Sequence, residues 1–286
     1  LRDYTANVIS ASKVVPDGNF KTSKASGVWD INEALDLIKG GNWPNAENLD
    51  PASFVDGLFQ THLYDGTGSA QTITNNINLS GSGGLVWFKK RSASGQHTLI
   101  DTVRGNTKYI RSSADHAEDT SSTMITAFNS NGFSVGTNDD VGANNTEYVT
   151  WTFRKQPKFF DVVTYTGDGT SDFSKKVSHN LGQRPGMVFV KNTSASSNWL
   201  VWYSLMDSSA YNLNLNNTNQ SQSSNETNGR AYVETSGDYR LQVSATGTGV
   251  DANKSGDTYV AYFFAHNNND GGFGEPGDQD IIKCGT

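Results

Sequence analysis

The pentapeptide YTGDG at Tyr165–Gly169 has a near copy, YDGTG, at Tyr64–Gly68. Glycines in such a stretch supply the positive φ angles and close backbone approaches that tight turns require. A second pair follows, since LVWFK at Leu85–Lys89 matches MVFVK at Met187–Lys191. A single match is turn chemistry that any glycine-rich chain can show, whereas matches in a fixed order predict an internal duplication.

Two further pairs keep the same order along the chain. Ser92–Ser94 matches Ser194–Ser196, and YVTWTF at Tyr148–Phe153 matches YVAYFF at Tyr259–Phe264. The second copy also carries a polar, low-complexity run at Asn212–Asn228, which is typical of a surface loop. The sequence therefore predicts two copies of one module. The positions at which the copies differ are then the first places to look for function.

Within each copy, apolar residues alternate with a period of two, which predicts β-strands. Both faces of Leu85–Lys90 are largely apolar, as in a central strand of a sheet. Asn131-Gly132 is a strong hairpin signal, and similar turn residues recur between short strands. We therefore predict an all-β fold made of tandem antiparallel β-sandwiches or jelly rolls.

The segment before the copies differs from them. Asp30–Glu33 has the pattern of a capping box, and the apolar residues after it lie at helical spacing, which predicts one short helix over about residues 30–40. The last residues, Asp280–Thr286, resemble Asp161–Gly167, so a third copy is expected to begin there. The predicted organisation is a connector over 1–60, a first repeat over 61–157, a second repeat over 158–278 and the start of a third over 279–286.

Composition narrows the classes of partner. The net charge of −7 and the pI of about 5.2 give a phosphate backbone nothing to attract it, so no nucleic-acid partner is expected. No run approaches 18 apolar residues, so no membrane insertion is expected. The lone cysteine, Cys284, allows no internal disulfide, and no cofactor is predicted. Because the chain begins at Leu1 rather than Met, we expect it to be part of a longer protein.

Several stretches carry a family resemblance. SGVWDINEALDLIKGGNWP at Ser26–Pro44 resembles a segment of virion proteins of marine and cyanobacterial bacteriophages. The strings GLVWFKKRSAS, HTLIDTVRG, AFNSNGFSVG and YVTWTF resemble tandem repeats of phage tail-fibre or tail-appendage proteins, and they are also similar to laminin-G or concanavalin-A-like sandwiches. The resemblance implies a virion location, a homotrimeric assembly and contacts with other tail proteins. It transfers no catalytic or binding residue to this chain.

Aromatic residues are the first candidates for a binding site. Exposed Trp and Tyr rings can stack on sugar faces, because each has an apolar ring and a polar edge. Trp199, Trp202 and Tyr203 form a cluster that the first copy lacks, and Tyr211 follows it in the sequence. We predict a glycan site at these four residues, with filling of the local core as the alternative.

Acidic residues in loops are the second group of candidates. A glycan-cleaving enzyme needs two carboxyl groups near each other, and Asp115, Glu118, Asp119 and the Asp139-Asp140 pair could supply them. Solvated turn acids are the alternative interpretation. A calcium ion held by Asp139, Asp140 and Asp251 is a further possibility, since lectin-like sandwiches use loop carboxylates in this way.

These observations favour a non-enzymatic structural protein of the virion. We expect a segment of a tail fibre or appendage that displays β-sandwiches and attaches to a host cell-surface glycan. The absence of a good catalytic grouping and the repeated modules, which suit multivalent binding, support this interpretation. Two alternatives stay open: a polysaccharide depolymerase of a phage tailspike, and a secreted bacterial adhesin with lectin-like repeats.

Overall fold

The fold is described from a computed structural model of the chain. The structure describes residues 55–204, 211–217, 222–223, 231–235, 240–244, 252–273 and 279–284, together with Asn32, Leu35, Asp36 and Lys39. Those four single residues are helical and lie within the predicted connector helix. Among the described residues, no helix has the length and apolar character needed to cross a bilayer.

The first repeat is built from nine strands and two short helices. A 3-10 turn at Val55–Gly57 precedes it, and the four-residue helices α1 (Leu79–Ser82) and α2 (Asp139–Gly142) lie between strands. The strands are β1 (Phe59–Asp65), β2 (Gln71–Thr74), β3 (Gly84–Lys90), β4 (Thr98–Asp101), β5 (Lys108–Arg111), β6 (Asp119–Thr120), β7 (Ile125–Asn129), β8 (Gly132–Val135) and β9 (Glu147–Arg154).

The described part of the second repeat also contains nine strands. They are β10 (Phe160–Thr166), β11 (Lys175–Val177), β12 (Pro185–Asn192), β13 (Leu200–Tyr203), β14 (Tyr211–Asn214), β15 (Gln222–Ser223), β16 (Ala231–Val233), β17 (Leu241–Val243) and β18 (Thr258–Ala265). All strand pairings in both repeats are antiparallel, which confirms the predicted all-β class.

The two repeats share one topology. In the first, a six-stranded sheet β1-β9-β3-β4-β5-β6 packs on a three-stranded sheet β2-β8-β7. In the second, β10-β18-β12-β13-β14-β15 packs on β11-β17-β16. Each strand of one repeat thus has a counterpart in the other, so equivalent residues can be assigned from strand register as well as from sequence.

Each sandwich has its own apolar core between its two sheets. Val86 and Phe88 of β3 face Phe133 and Val135 of β8 in the first repeat, where the Phe88 and Phe133 rings meet edge to face at 5.4 Å. The second core has the same pattern, with buried residues of β12, β13 and β18 against those of β11, β16 and β17. Alternate residues of the long strands point away from these cores to the outer faces of the six-stranded sheets.

The tyrosine–glycine motif joins the first and last strands of each repeat. Tyr64 stacks on Tyr148 at 5.1 Å, and Tyr165 stacks on Tyr259 at 4.9 Å. Gly66 lies so close to the loop before β9 that a Cβ there would be 2.1 Å from the Ala143 carbonyl oxygen.

The second motif repeats this geometry, since a Cβ at Gly167 would be 2.2 Å from the carbonyl oxygen of Lys254. The two motifs are therefore equivalent closures of a sandwich, held by ring stacking and by backbone contact that only glycine permits.

The two sandwiches pack on each other within one compact unit, Val55–Thr286. Phe153 on the outer face of the first large sheet contacts Phe160 and Phe264 of the second, with ring centroids 5.4 and 5.5 Å apart. The last described residues, 279–284, fold back onto the second repeat, where Ile282 packs against its core. The predicted start of a third repeat thus contacts the second repeat.

A buried ionic cluster lies at the contact between the repeats. Arg104 Nε donates to Asp101 Oδ2 at 2.6 Å, and Arg104 Nη1 donates to Glu118 Oε2 at 3.1 Å. Tyr262 of the second repeat donates from its hydroxyl to Asp101 Oδ2 at 2.8 Å. The Asp101 side chain is 0 % exposed and that of Arg104 is 3 % exposed, so every charge depends on its partners inside the protein.

Candidate functional site

An open cleft of about 830 Å³ lies on the first repeat, at the ends of its large sheet. It is formed where β3, β5 and β6 end near helix α2, with the loop after β3 as a further wall. All of its lining residues are polar or glycine, in contrast to the two apolar cores. They are Lys90, Ser94, Gly95, Gln96, Arg111, His116, Asp119 and Asp140.

Arg111 is the centre of the charged groups in the cleft. Its Nη1 donates to Asp119 Oδ2 at 3.2 Å, and its Nη2 donates to the Tyr109 hydroxyl at 3.1 Å. The guanidinium also lies over the Tyr109 ring, 4.8 Å from the centroid. Burial alone would lower the pKa of Arg111, but Tyr109 and Asp119 raise it above its ordinary value, so the side chain is a permanent cation.

Asp140 faces two cations at longer range. Its Oδ1 is 3.8 Å from Lys90 Nζ, and its Oδ2 is 3.8 Å from Arg111 Nη2. Asn138 caps the first turn of α2 by accepting from the Asp140 backbone N–H at 2.9 Å, which fixes the position from which this side chain extends. Arg111 thus connects the two acids of the cleft, Asp119 and Asp140.

Gln96 is oriented by its neighbours on the rim of the cleft. Ser113 donates from Oγ to Gln96 Oε1 and accepts from the His97 backbone N–H. With the amide oxygen occupied, the Nε2 group of Gln96 is its available donor. The cleft therefore combines fixed hydrogen-bond donors with carboxylate acceptors, which suits a ligand rich in hydroxyl groups.

The second repeat supports one wall of the cleft from behind. Trp199 Nε1 donates to the carbonyl oxygen of Arg111 at 2.9 Å. Lys191 Nζ donates to the carbonyl oxygen of Asp115 at 3.2 Å, next to the cleft residue His116. Lys191 is fully buried, and burial lowers its pKa from 10.5 to about 8. The segment that carries Arg111 and His116 is thus held in place by side chains of the other repeat.

Three of the charged residues in the cleft, Lys90, Arg111 and Asp119, have uncharged counterparts in the second repeat. From strand register, Arg111 corresponds to Asn214, because β4 pairs with β5 as β13 pairs with β14. By the same register, Gln222 is the residue of the second repeat that corresponds to Asp119. Lys90 corresponds to Asn192 of the second repeat. One fold thus exists with and without these charged residues, so the fold does not require them.

Three aromatic residues, Trp87, His97 and Trp151, lie together on the outer face of the first large sheet. Trp87 and Trp151 meet edge to face at 6.1 Å, and Trp87 Nε1 donates to His97 Nδ1 at 3.1 Å. Burial, and then the nearby Lys89, lower the pKa of His97, which favours the neutral ring that can accept this bond. The three rings are half-buried. In the second repeat, Trp199 replaces His97 and Tyr262 replaces Trp151, and both of these side chains donate hydrogen bonds to the first repeat.

The predicted glycan residues lie mostly in the interior. Trp199 is 0 % exposed and stacks on Tyr262, and Trp202 is 3 % exposed within the second core. Neither ring can stack on a sugar, because protein already covers both, and the alternative of core filling describes these two residues. Tyr203 is half-buried and donates to the Cys284 carbonyl oxygen at 3.4 Å. Tyr211 belongs to β14, and its side chain lies outside the described residues.

The predicted calcium ligands are not brought together by the described structure. Asp139 and Asp140 begin helix α2, and Asp140 is engaged by cations. Asp251 lies outside the described residues, and its sequence position corresponds to Asp140 in the other repeat. Among the described residues, no group of three or more acidic, histidine or cysteine side chains is arranged to hold a metal ion.

The structure places the predicted loop acids in different environments. Asp119 and Asp140 line the cleft, whereas Glu118 joins the buried cluster by pairing with Arg104 and Lys108. Asp115 is exposed, and its backbone carbonyl contacts the second repeat.

Sequence reasoning missed Lys90, Gln96, Arg111 and His116 among the residues that line the cleft. Comparison of the copies position by position could have revealed that the charged Lys90 is replaced by Asn192 in the second copy, since their strands align without gaps.

Comparison with known proteins gives one match. Residues 55–275 match the profile of DUF7483, which is described as a domain of unknown function. No curated protein and no solved structure matches the chain. The matched region includes all eighteen strands of the described residues, so the family domain contains both repeats and the contact between them.

Proposed function

The chain belongs to the DUF7483 family of domains of unknown function, and we propose that it is a structural protein of a phage tail fibre or appendage that attaches to a glycan of the host surface. The observation that supports the binding role is the polar cleft of the first repeat, in which Lys90, Arg111 and Asp119 have uncharged counterparts in the second repeat. The virion location rests on the sequence resemblance, which covers most of the chain beyond Ser26.

The chemistry of the cleft fits attachment to a carbohydrate. Glycans present many hydroxyl groups, and each hydroxyl can donate to a carboxylate and accept from a cation or an amide. The cleft supplies acceptors from Asp119 and Asp140 and donors from Lys90, Gln96 and Arg111. A fibre that carries several copies of such a site gains avidity even when each site is weak, and a homotrimer would provide this multiplicity.

A depolymerase is the second candidate, because Asp119 and Asp140 line the same cleft. Glycoside hydrolysis requires one carboxyl group that carries a proton to the leaving oxygen and a second that acts as base or nucleophile. Both carboxylates here face the guanidinium of Arg111, which suits ligand recognition better than proton donation. We therefore favour binding without cleavage.

Adsorption to cells tests the proposal. Fluorescently labelled chain is incubated with a panel of marine bacteria and cyanobacteria, and the bound fraction is measured with and without purified envelope polysaccharide. Saturable adsorption that the polysaccharide of the same strain abolishes is the expected result, with no reducing sugar released. Release of reducing sugar would favour the depolymerase instead. Absence of adsorption to every strain would refute the attachment role.

A further inference from the structure

Asp140 lies between two cations without a direct hydrogen bond to either. Both of its carboxylate oxygens face a donor nitrogen at 3.8 Å, Oδ1 towards Lys90 and Oδ2 towards Arg111. These distances exceed the limit of about 3.2 Å for a normal N–H···O hydrogen bond. A ligand hydroxyl that enters from the open side can donate to the carboxylate and accept from the cation at the same time.

The arrangement offers two such positions side by side. A single carboxylate can accept from two neighbouring hydroxyl groups, one on each oxygen, and here each oxygen has its own cation behind it. Lys90 and Arg111 come from β3 and β5, so the two donors flank Asp140 from different strands. This pattern matches a pair of hydroxyl groups on adjacent ring carbons of a sugar.

The charge balance disfavours an anionic ligand. Arg111 is already bound to Asp119 at 3.2 Å, and Lys90 is paired with Asp140. A sulfate or carboxylate placed against either cation would also face one of these two acids, and such like-charge contacts are unfavourable. A neutral hydroxyl pair meets no such repulsion.

We propose that the cleft recognises a neutral glycan through two vicinal hydroxyl groups, with Asp140 as their shared acceptor and Lys90 and Arg111 as their donors. This inference rests on the proposed function and narrows its ligand to one class of sugar. Gln96, whose Nε2 group is available on the rim, then contributes a further donor to the ring next to the bound pair.

A glycan array probed with the full 286-residue chain tests the assignment. The array carries neutral oligosaccharides of gluco, manno and galacto configuration, the same glycans after periodate oxidation and borohydride reduction, and sulfated and uronic-acid glycans. Periodate cleaves bonds between carbons that bear vicinal hydroxyls, and the reduction removes the aldehydes that would react with lysine. Binding to at least one neutral glycan is expected, with about ten-fold weaker binding after this treatment.

Two variants locate the binding on the protein. Asp140→Asn should weaken binding about ten-fold, because an amide offers one acceptor oxygen in place of two. Asp139→Asn is the matched control, since Asp139 is the exposed neighbour in the same turn of α2 and does not line the cleft. Its binding should equal that of the wild type. Thermal unfolding of both variants establishes that they are folded.

The outcomes separate this inference from the proposed function. Binding restricted to sulfated or uronic-acid glycans, equal binding before and after periodate, or wild-type binding by folded Asp140→Asn would each overturn the inference. If the array gives no signal while the chain still adsorbs to cells, the neutral-glycan assignment fails and attachment stands. If the chain also fails to adsorb to cells, the proposed attachment function is refuted together with the neutral-glycan assignment.

Discussion

Removal of the Arg104 guanidinium tests the contact between the repeats most severely. In Arg104→Met, the Asp101 carboxylate stays fully buried and keeps only the Tyr262 hydroxyl and two backbone N–H groups as partners. Breaking a buried ion pair by removing one partner costs about 3–5 kcal/mol, because the remaining charge is uncompensated. Small domains are stable by about 5–15 kcal/mol, so this loss should lower the urea midpoint strongly.

The assay is urea unfolding followed by tryptophan fluorescence, which reports on this contact because Trp199 stacks on Tyr262 at 6.3 Å. Lys108→Met is the matched control at the exposed end of the same network, since the Lys108 side chain is 48 % exposed where it pairs with Glu118. Such surface pairs contribute about 0–1 kcal/mol. A loss below about 1 kcal/mol for Arg104→Met, or equal losses for both variants, would refute the reasoning.

Three other substitutions test separate features. Gly66→Ala should destabilise the protein by about 1–3 kcal/mol through overpacking, since the new Cβ would be 2.1 Å from the Ala143 carbonyl oxygen, and thermal unfolding measures this. Trp199→Phe keeps an aromatic ring but removes the donor to the Arg111 carbonyl, so glycan affinity in titration calorimetry should fall about ten-fold. The unfolding free energy of the wild type relative to Lys191→Met should rise between about pH 8 and pH 10.5. Burial lowers the pKa of Lys191 from 10.5 to about 8, so the cost of burying the cation disappears as the folded state loses its proton.

Each of these results has a clear contrary outcome. Wild-type stability of Gly66→Ala would show that the motif does not close the sandwich. Unchanged affinity in Trp199→Phe would separate the cleft from the second repeat. A difference between wild type and Lys191→Met that is constant from pH 7 to pH 11 would show that folding leaves the protonation of Lys191 unaltered.

The fold class could be predicted because its signals are local. Alternation in Leu85–Lys90, the Asn131-Gly132 hairpin and the paired Tyr64 and Tyr165 motifs each report on a few neighbouring residues. The structure gives these motifs equivalent positions in two sandwiches of one topology. Short-range patterns therefore carried the prediction of all-β repeats.

The burial of Trp199 could not be read from its own stretch of sequence. An aromatic side chain on the outer face of a sheet is exposed or covered according to what packs on that face, and here the first repeat covers it through Arg111. The cleft could not be predicted from a local stretch of sequence either, because its charged residues come from positions that lie far apart in the chain. The low-complexity run at Asn212–Asn228 also blurs the alignment between copies, so the correspondence of Arg111 with Asn214 follows only from strand register.

Titration of host envelope polysaccharide fragments into wild-type and Arg111→Met chains tests the central claim most directly. The strain is one to which the chain adsorbs, and Lys108→Met, on the same strand but outside the cleft lining, is the control. We predict that Arg111→Met loses at least about ten-fold in affinity, because it removes the charged donor at the centre of the cleft, while Lys108→Met binds as the wild type. Equal affinity of folded Arg111→Met and wild type would contradict the assignment of this cleft as the glycan-binding site.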